Sequence, residues 1–213
     1  MIDWRWLGVA GALLMAQRAM SGVGVDLPAV SLFDSATVAE QPTPALGEVR
    51  EFVGPVATIN CSHWEIVESE DADALVSQCE HYRIYFKRSA NLNIFKVTAA
   101  NEIAVEFKPY YPGIKFPLQV GKRWRQRYEG YSAIEQVSWS GDVECEVADY
   151  ADVTIAAGTF RSFRLECKDR WKVGDAESSV NSTAWYSPEV QGVVKSITYE
   201  DPRWNTELKA YSR

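Results

Sequence analysis

Between Glu144 and Lys168 the chain alternates. Cys145, Val147, Ala151, Val153 and Ile155 hold odd positions, and Phe163, Leu165 and Cys167 continue them. Glu144, Glu146, Asp152 and Thr154 hold even positions, followed by Ser162, Arg164, Glu166 and Lys168. A period of two belongs to a strand with one wet face and one buried face. Two such runs joined at Ala156–Ala157–Gly158 predict a β-hairpin. The spacing predicts a three-residue loop in which Gly158 takes the left-handed conformation that a Cβ opposes. An odd loop length keeps odd positions facing odd positions on the two strands. Thr159 stands where its hydroxyl can bond locally at the loop edge.

Cys145 and Cys167 fall on the buried face. Four cysteines, with Cys61 and Cys79, allow three pairings and suit an oxidising compartment. No two have the C-x-x-C spacing of redox or zinc motifs. The expected pairs are Cys145–Cys167 and, by default, Cys61–Cys79. With a loop at 156–158 the ideal register sets Cys167 opposite Val147. The diagonal distance to Cys145, roughly 7–8 Å, exceeds the Cβ separation of about 3.5–4.5 Å that a disulfide needs. A register irregularity near Asp149 and Tyr150 must close the gap. Asp149 is the one polar residue on that face of the first run, up to Ile155.

The N-terminus carries Arg5, the apolar run WLGVAGALLMA, and then Ala19, Ser21, Gly22 and Gly24. A basic start, a short apolar middle and a small-residue end predict a secretory signal over residues 1–21. The run is shorter than the about 20 residues a transmembrane helix needs. No cysteine precedes Cys61, so no lipid anchor is expected after the signal. Residues 22–48, with Pro28, Pro42 and Pro44 and no sustained period, read as an irregular tether. Residues 49–213 read as one β-rich domain. The expected location is periplasmic or secreted.

Short alternating runs recur through that domain: Tyr82, Ile84 and Phe86, then NIFKV at 93–97 and EIAVEF at 102–107. SEDADALVSQCEHY, from Ser69, is the helix candidate, with Ser69 as its cap; an acidic loop is the alternative. Prolines and glycines from Pro109 to Gly121 break any regular element. In the strand that follows, Trp124 and Tyr128 share one face and Arg123, Arg125 and Arg127 the other. Ser140–Gly141–Asp142 reads as a turn. SSVNSTAWY, GVVKSITYE and WNTELKAYS complete the strand set, separated by Pro188 and Pro202. The predicted architecture is all-β and mainly antiparallel, a strongly curved sheet or incomplete barrel with one or two packed helices. A two-sheet sandwich is the alternative.

Three segments, FPLQVGKRW (116–124), VTIAAGTF (153–160) and WYSPEVQGVVK (185–195), together resemble a group of functionally uncharacterised bacterial exported proteins. Gln191 is an extra residue in the last segment, and Ala156 stands where proline is common. The resemblance covers about half the chain. It implies a periplasmic-type β-rich domain with a distant likeness to curved-sheet carriers of lipids or lipoproteins. It transfers no active site. Read as residues, the segments are folding signals.

The formal net charge of −7 argues against nucleic acid as a partner. Only His63 and His81 could serve a triad or a metal, and neither lies in a nucleophile elbow or among convincing ligands. The acidic run Glu65, Glu68, Glu70, Asp71 and Asp73 lacks the spacing of a calcium loop. No catalytic residue, cofactor or metal is therefore assigned. The arginine stripe Arg123, Arg125, Arg127 could meet an anionic partner; cross-strand pairing with Glu144 and Glu146 is the plainer reading. Trp124, Tyr128, Trp185 and Tyr186 could line an apolar ligand pocket or fill the core. The leading function is a non-catalytic binding or assembly protein of the envelope, holding an apolar small molecule or a protein partner. A hydrolase with a site invisible in sequence, or a structural subunit, are the alternatives.

Overall fold

The computed structural model describes residues 37–54 and 61–213; the predicted signal segment lies outside them. Twelve antiparallel strands are present among the described residues: β1 (Val49–Val53), β2 (His63–Val67), β3 (Ala74–Cys79), β4 (Tyr82–Lys87), β5 (Asn93–Ala99), β6 (Glu102–Lys108), β7 (Arg123–Ser132), β8 (Val137–Ile155), β9 (Gly158–Val173), β10 (Ala176–Ser187), β11 (Gly192–Thr198) and β12 (Thr206–Ser212). Each pairs with its neighbour in sequence, and β1 pairs with β12 to close a barrel. The sheet is thus neither an incomplete barrel nor a sandwich. Closure depends on Val49–Val53 meeting Thr206–Ser212, a contact between the two ends of the domain that no local pattern encodes.

The predicted packed helix is absent. Ser69 Oγ accepts the Asp71 amide, Asp71 Oδ1 accepts the Asp73 amide, and Asp73 accepts both the amide and the hydroxyl of Ser89. These short polar side chains divert the backbone into a turn rather than a first helical turn. The apolar residues that follow form β3, buried on both faces between β2 and β4. A strand buried on both faces shows no alternation to read. Only two one-turn 3₁₀ segments, Arg88–Ala90 and Pro202–Trp204, occur among the described residues.

The hairpin is β8–β9, and its register differs from the predicted one in a way that aligns the cysteines. The loop is two residues, Ala156–Ala157, with Ile155 paired to Gly158 at φ +133°. This brings odd against even near the tip, as in Val153↔Phe160. A bulge between Val147 and Asp149, at Ala148, then restores odd against odd. Relative to a three-residue loop, the shorter loop and the bulge each move the pairing by one residue. Cys145 therefore lies directly opposite Cys167, Cα to Cα 4.1 Å, and the two are bonded. Cys61 is bonded to Cys79. Thr159 and Thr154 hydroxyls bond across the hairpin at 2.9 Å.

Ser140–Gly141–Asp142 is not a turn but the middle of β8. Gly141 pairs with Tyr128 and Gly130 with Trp139. A Cβ on Gly141 would stand 2.2 Å from the Tyr128 ring, and one on Gly130 would stand 2.1 Å from the Trp139 ring. Each glycine is a window over which a cross-strand aromatic ring lies flat.

Candidate functional site

The registers of β7 to β10 place their side chains in rows. On the exposed face, Arg127, Asp142, Arg170 and Ser179 form one row and Arg125, Glu144, Lys168 and Asn181 the next. Arginines on β7 thus face acids on β8, which face cations on β9. Arg123 pairs with Glu146 at 2.9 Å, Arg125 with Asp142 at 2.7 Å, and Arg170 with Glu144 at 3.6 Å. Two arginines of the stripe, Arg123 and Arg125, are paired with acids of the neighbouring strand. Exposed pairs of this kind contribute about 0.2–1 kcal/mol each. An open groove of about 1110 Å³ runs over this face and is lined mainly by charged and hydroxyl side chains.

The opposite, inner face is apolar. Trp124, Tyr128, Val143, Cys145, Val147, Phe163, Leu165 and Tyr186 form one buried cluster. Tyr186 meets Phe116 edge to face at 5.2 Å, and burial pushes its phenol up to about 12. Trp185, its neighbour in sequence, points the other way. It packs against a second cluster, built on Ile155, Phe160, Val190, Val194 and Leu208, that seats the hairpin tip. The four aromatic residues singled out in sequence therefore do not share one surface.

The inner face is covered not by a second sheet but by an irregular strap, residues 109–122, which contains the FPLQVGK segment. Leu118 is fully buried in the cluster; Tyr111, Ile114, Phe116 and Val120 pack against it. Polar side chains hold the strap at its ends. Asn93 exchanges hydrogen bonds with the Ile114 amide and carbonyl at 2.9 and 2.7 Å, and Asn91 accepts the Phe116 amide. Lys122 Nζ donates to the Lys115 and Pro117 carbonyls, and Trp124 Nε1 donates to the Pro112 carbonyl. Ala39 and Leu118 exchange backbone bonds, so residues 37–48 are irregular but pinned to the barrel. The third segment closes the other end. Arg50 pairs with the buried Glu48 and donates to the Gln191 carbonyl, lying where a Cβ on Gly192 would be. Gln191, the extra residue, adopts φ +55° to form this cradle.

Beneath the strap lies one carboxylate that sequence reading passed over. Asp169 is 7% exposed. Its Oδ2 accepts the Tyr128 hydroxyl at 2.9 Å, reached across the Gly141 window. Its Oδ1 is buried with no partner at hydrogen-bond geometry. The Tyr111 hydroxyl and the Arg170 amide act on the same carboxylate but do not complete a regular bond to that oxygen. Burial raises the Asp169 carboxyl above the ordinary carboxylate range, against the lowering effect of the two phenols, with Asp142 adding to the rise. Burial, and then the Asp169 charge, pushes both phenols up as well. Tyr111 and Tyr128 pack on each other and on Phe107, with centroids 5.2–5.9 Å apart. The signal for Asp169 was present: carrying Phe163, Leu165 and Cys167 two places further on the same parity lands on it.

His63 and His81 are exposed, beside Glu51 at 3.6 Å and Glu80 at 3.9 Å. Among the described residues no cluster of His, Cys, Asp or Glu could hold a metal. No helix among them is long and apolar enough to cross a membrane.

No family model matches the sequence, and no curated protein matches it. Three solved structures are similar in backbone. One is a protein from Parabacteroides distasonis described as a lipoprotein, 13% identical, TM-score 0.45, covering 82% of this chain and 99% of that one. Another is an exported protein of YmcC-like fold from Bacteroides fragilis, 13% identical, TM-score 0.45, covering 82% and 100%. The third is the hypothetical lipoprotein YmcC from Escherichia coli, 12% identical, TM-score 0.42, covering 78% and 84%.

Proposed function

We propose that this chain is an exported, non-catalytic binding protein of the bacterial envelope, whose ligand has an apolar body and is taken up on the inner face of the barrel under the strap. The observation that carries the reading is the way that face is closed. Eight strands suffice to make a barrel that its own side chains fill, and wider barrels have room to spare; here twelve strands close and an irregular segment covers the aromatic face. The strap is joined to the sheet at discrete points by Asn91, Asn93, Trp124 and a few backbone bonds, and on this reading a molecule offering equal apolar surface replaces Leu118 and Phe116 without unfolding the sheet. On this reading residues 1–21 are a cleaved signal and 49–213 the binding domain, with the end of the 22–48 tether pinned to it through Ala39, Gly47 and Glu48. Two disulfides suit the oxidising compartment that the signal leads to.

A hydrolase would use Asp169 as its acid, but the groups acting on that carboxylate are two tyrosines and a backbone amide, with no nucleophile among them. The test is native mass spectrometry of the protein from its own envelope, together with titration of straight-chain amphiphiles followed by intrinsic tryptophan fluorescence. Saturable binding that tightens with chain length, and shifts on Leu118→Ala, is expected. A protein that carries no small molecule and ignores every chain length would remove the proposal.

A further inference from the structure

We infer that Asp169, framed by Tyr111, Tyr128 and Phe107, receives the head group of that ligand, and that the head group is a protonated amine. The inference rests on the proposed apolar-ligand reading and narrows it. A buried polar atom is ordinarily bonded, and leaving one unmade costs about 1–3 kcal/mol. Asp169 Oδ1 is such an atom, in a residue 7% exposed. It is not the residue of a failed ion pair, since its row neighbours on the inner face, Val143 and Val180, are both apolar. No side chain of the sheet completes that oxygen, and the Tyr111 hydroxyl of the strap acts on the carboxylate without bonding Oδ1 at regular geometry.

The surroundings select the kind of donor. Tyr128 donates to Oδ2, and Tyr111 and the Arg170 amide act on the same carboxylate, but neutral donors remove none of its charge, and a cation is the partner that matches it. The two tyrosines reach it with their hydroxyl ends, and Phe107 packs against both rings, so the site is apolar beyond those hydroxyls. Along the same inner face Cys145, Val147 and Leu165 continue the apolar floor, giving an alkyl chain a direction to run away from the head. An anionic head group would stand against Asp169 in a dry site and is disfavoured; an alcohol would satisfy the lone pair but not the charge.

The experiment is calorimetric titration of wild type and Asp169→Asn with dodecylamine, dodecanol and dodecanoate near neutral pH. Wild type should bind the amine at least tenfold more tightly than the alcohol and the carboxylate most weakly. Asp169→Asn keeps the shape and an acceptor for Tyr128, and should abolish the preference for the amine over the alcohol. Equal affinity for all three in wild type would overturn the head-group assignment yet leave the apolar site standing. Binding of none would overturn both. An amine preference that survives in Asp169→Asn would place the head elsewhere. If the variant fails to fold, the wild-type series alone decides.

Discussion

Replacing Gly141 with alanine tests the central packing claim, because the usual rule and this structure give opposite signs. Glycine inside a strand is ordinarily worse than alanine by about 0.5–1 kcal/mol, so Gly141→Ala should stabilise. Here the new Cβ would lie 2.2 Å from Cε1 and Cζ of Tyr128 and 2.5 Å from its Oη. Carbon contacts are comfortable at about 3.5–4.0 Å, so the ring must move by more than about 1 Å. It is hemmed in by Phe107 at 5.9 Å and Tyr111 at 5.2 Å, centroid to centroid. Overpacking costs about 1–3 kcal/mol. Moving the ring also breaks its hydrogen bond to Asp169, which leaves the second carboxylate oxygen bare at about 1.5–3 kcal/mol. The expected destabilisation is about 3–5 kcal/mol, a fall in melting temperature of about 6–20 °C for a domain of this size. Calorimetric melts of the two single variants and the double variant Gly141→Ala/Tyr128→Ala would isolate the pair. In the Tyr128→Ala background the Gly141 substitution should become neutral or slightly stabilising. A Gly141→Ala melt at or above wild type, or a penalty unchanged without the Tyr128 ring, would refute the argument.

Removing the Cys145–Cys167 bond by a double alanine substitution should cost about 3 kcal/mol from loop entropy over its separation of 22 residues, and removing Cys61–Cys79, separated by 18, nearly as much; denaturant melts of each variant measure this. Arg50→Ala leaves Glu48 buried without its partner, so a loss of about 3–5 kcal/mol is expected in the same assay. Asp169 has a raised folded-state pKa, so its contribution to stability is fully present below the ordinary carboxylate value and is lost as pH rises through the folded value. Wild type should therefore gain stability relative to Asp169→Asn as pH is lowered towards about 4; a difference independent of pH would contradict the assignment.

What local chemistry dictates, the sequence carried alone. Alternation about Cys145 and Cys167 identified the hairpin and its buried face, because strand geometry sends neighbours to opposite sides. The opposed faces of Trp124 and Arg125 followed from the same period. The need for an irregularity near Asp149 followed from disulfide reach, and a bulge stands one residue away, at Ala148. Other features depended on contacts between distant segments. A glycine reads as a turn until its cross-strand partner is known, and only pairing shows that Gly141 lies under Tyr128. The stretch after Ser69 reads as a helix until pairing with β2 and β4 sets it in the sheet, where residues on both its faces are buried. Closure of the barrel rests on β1 meeting β12, and the exposure of Asp169 on what covers it. Sequence periodicity records which face of a strand a residue takes, whereas the strap that buries that face is brought there by a connection with no period of its own.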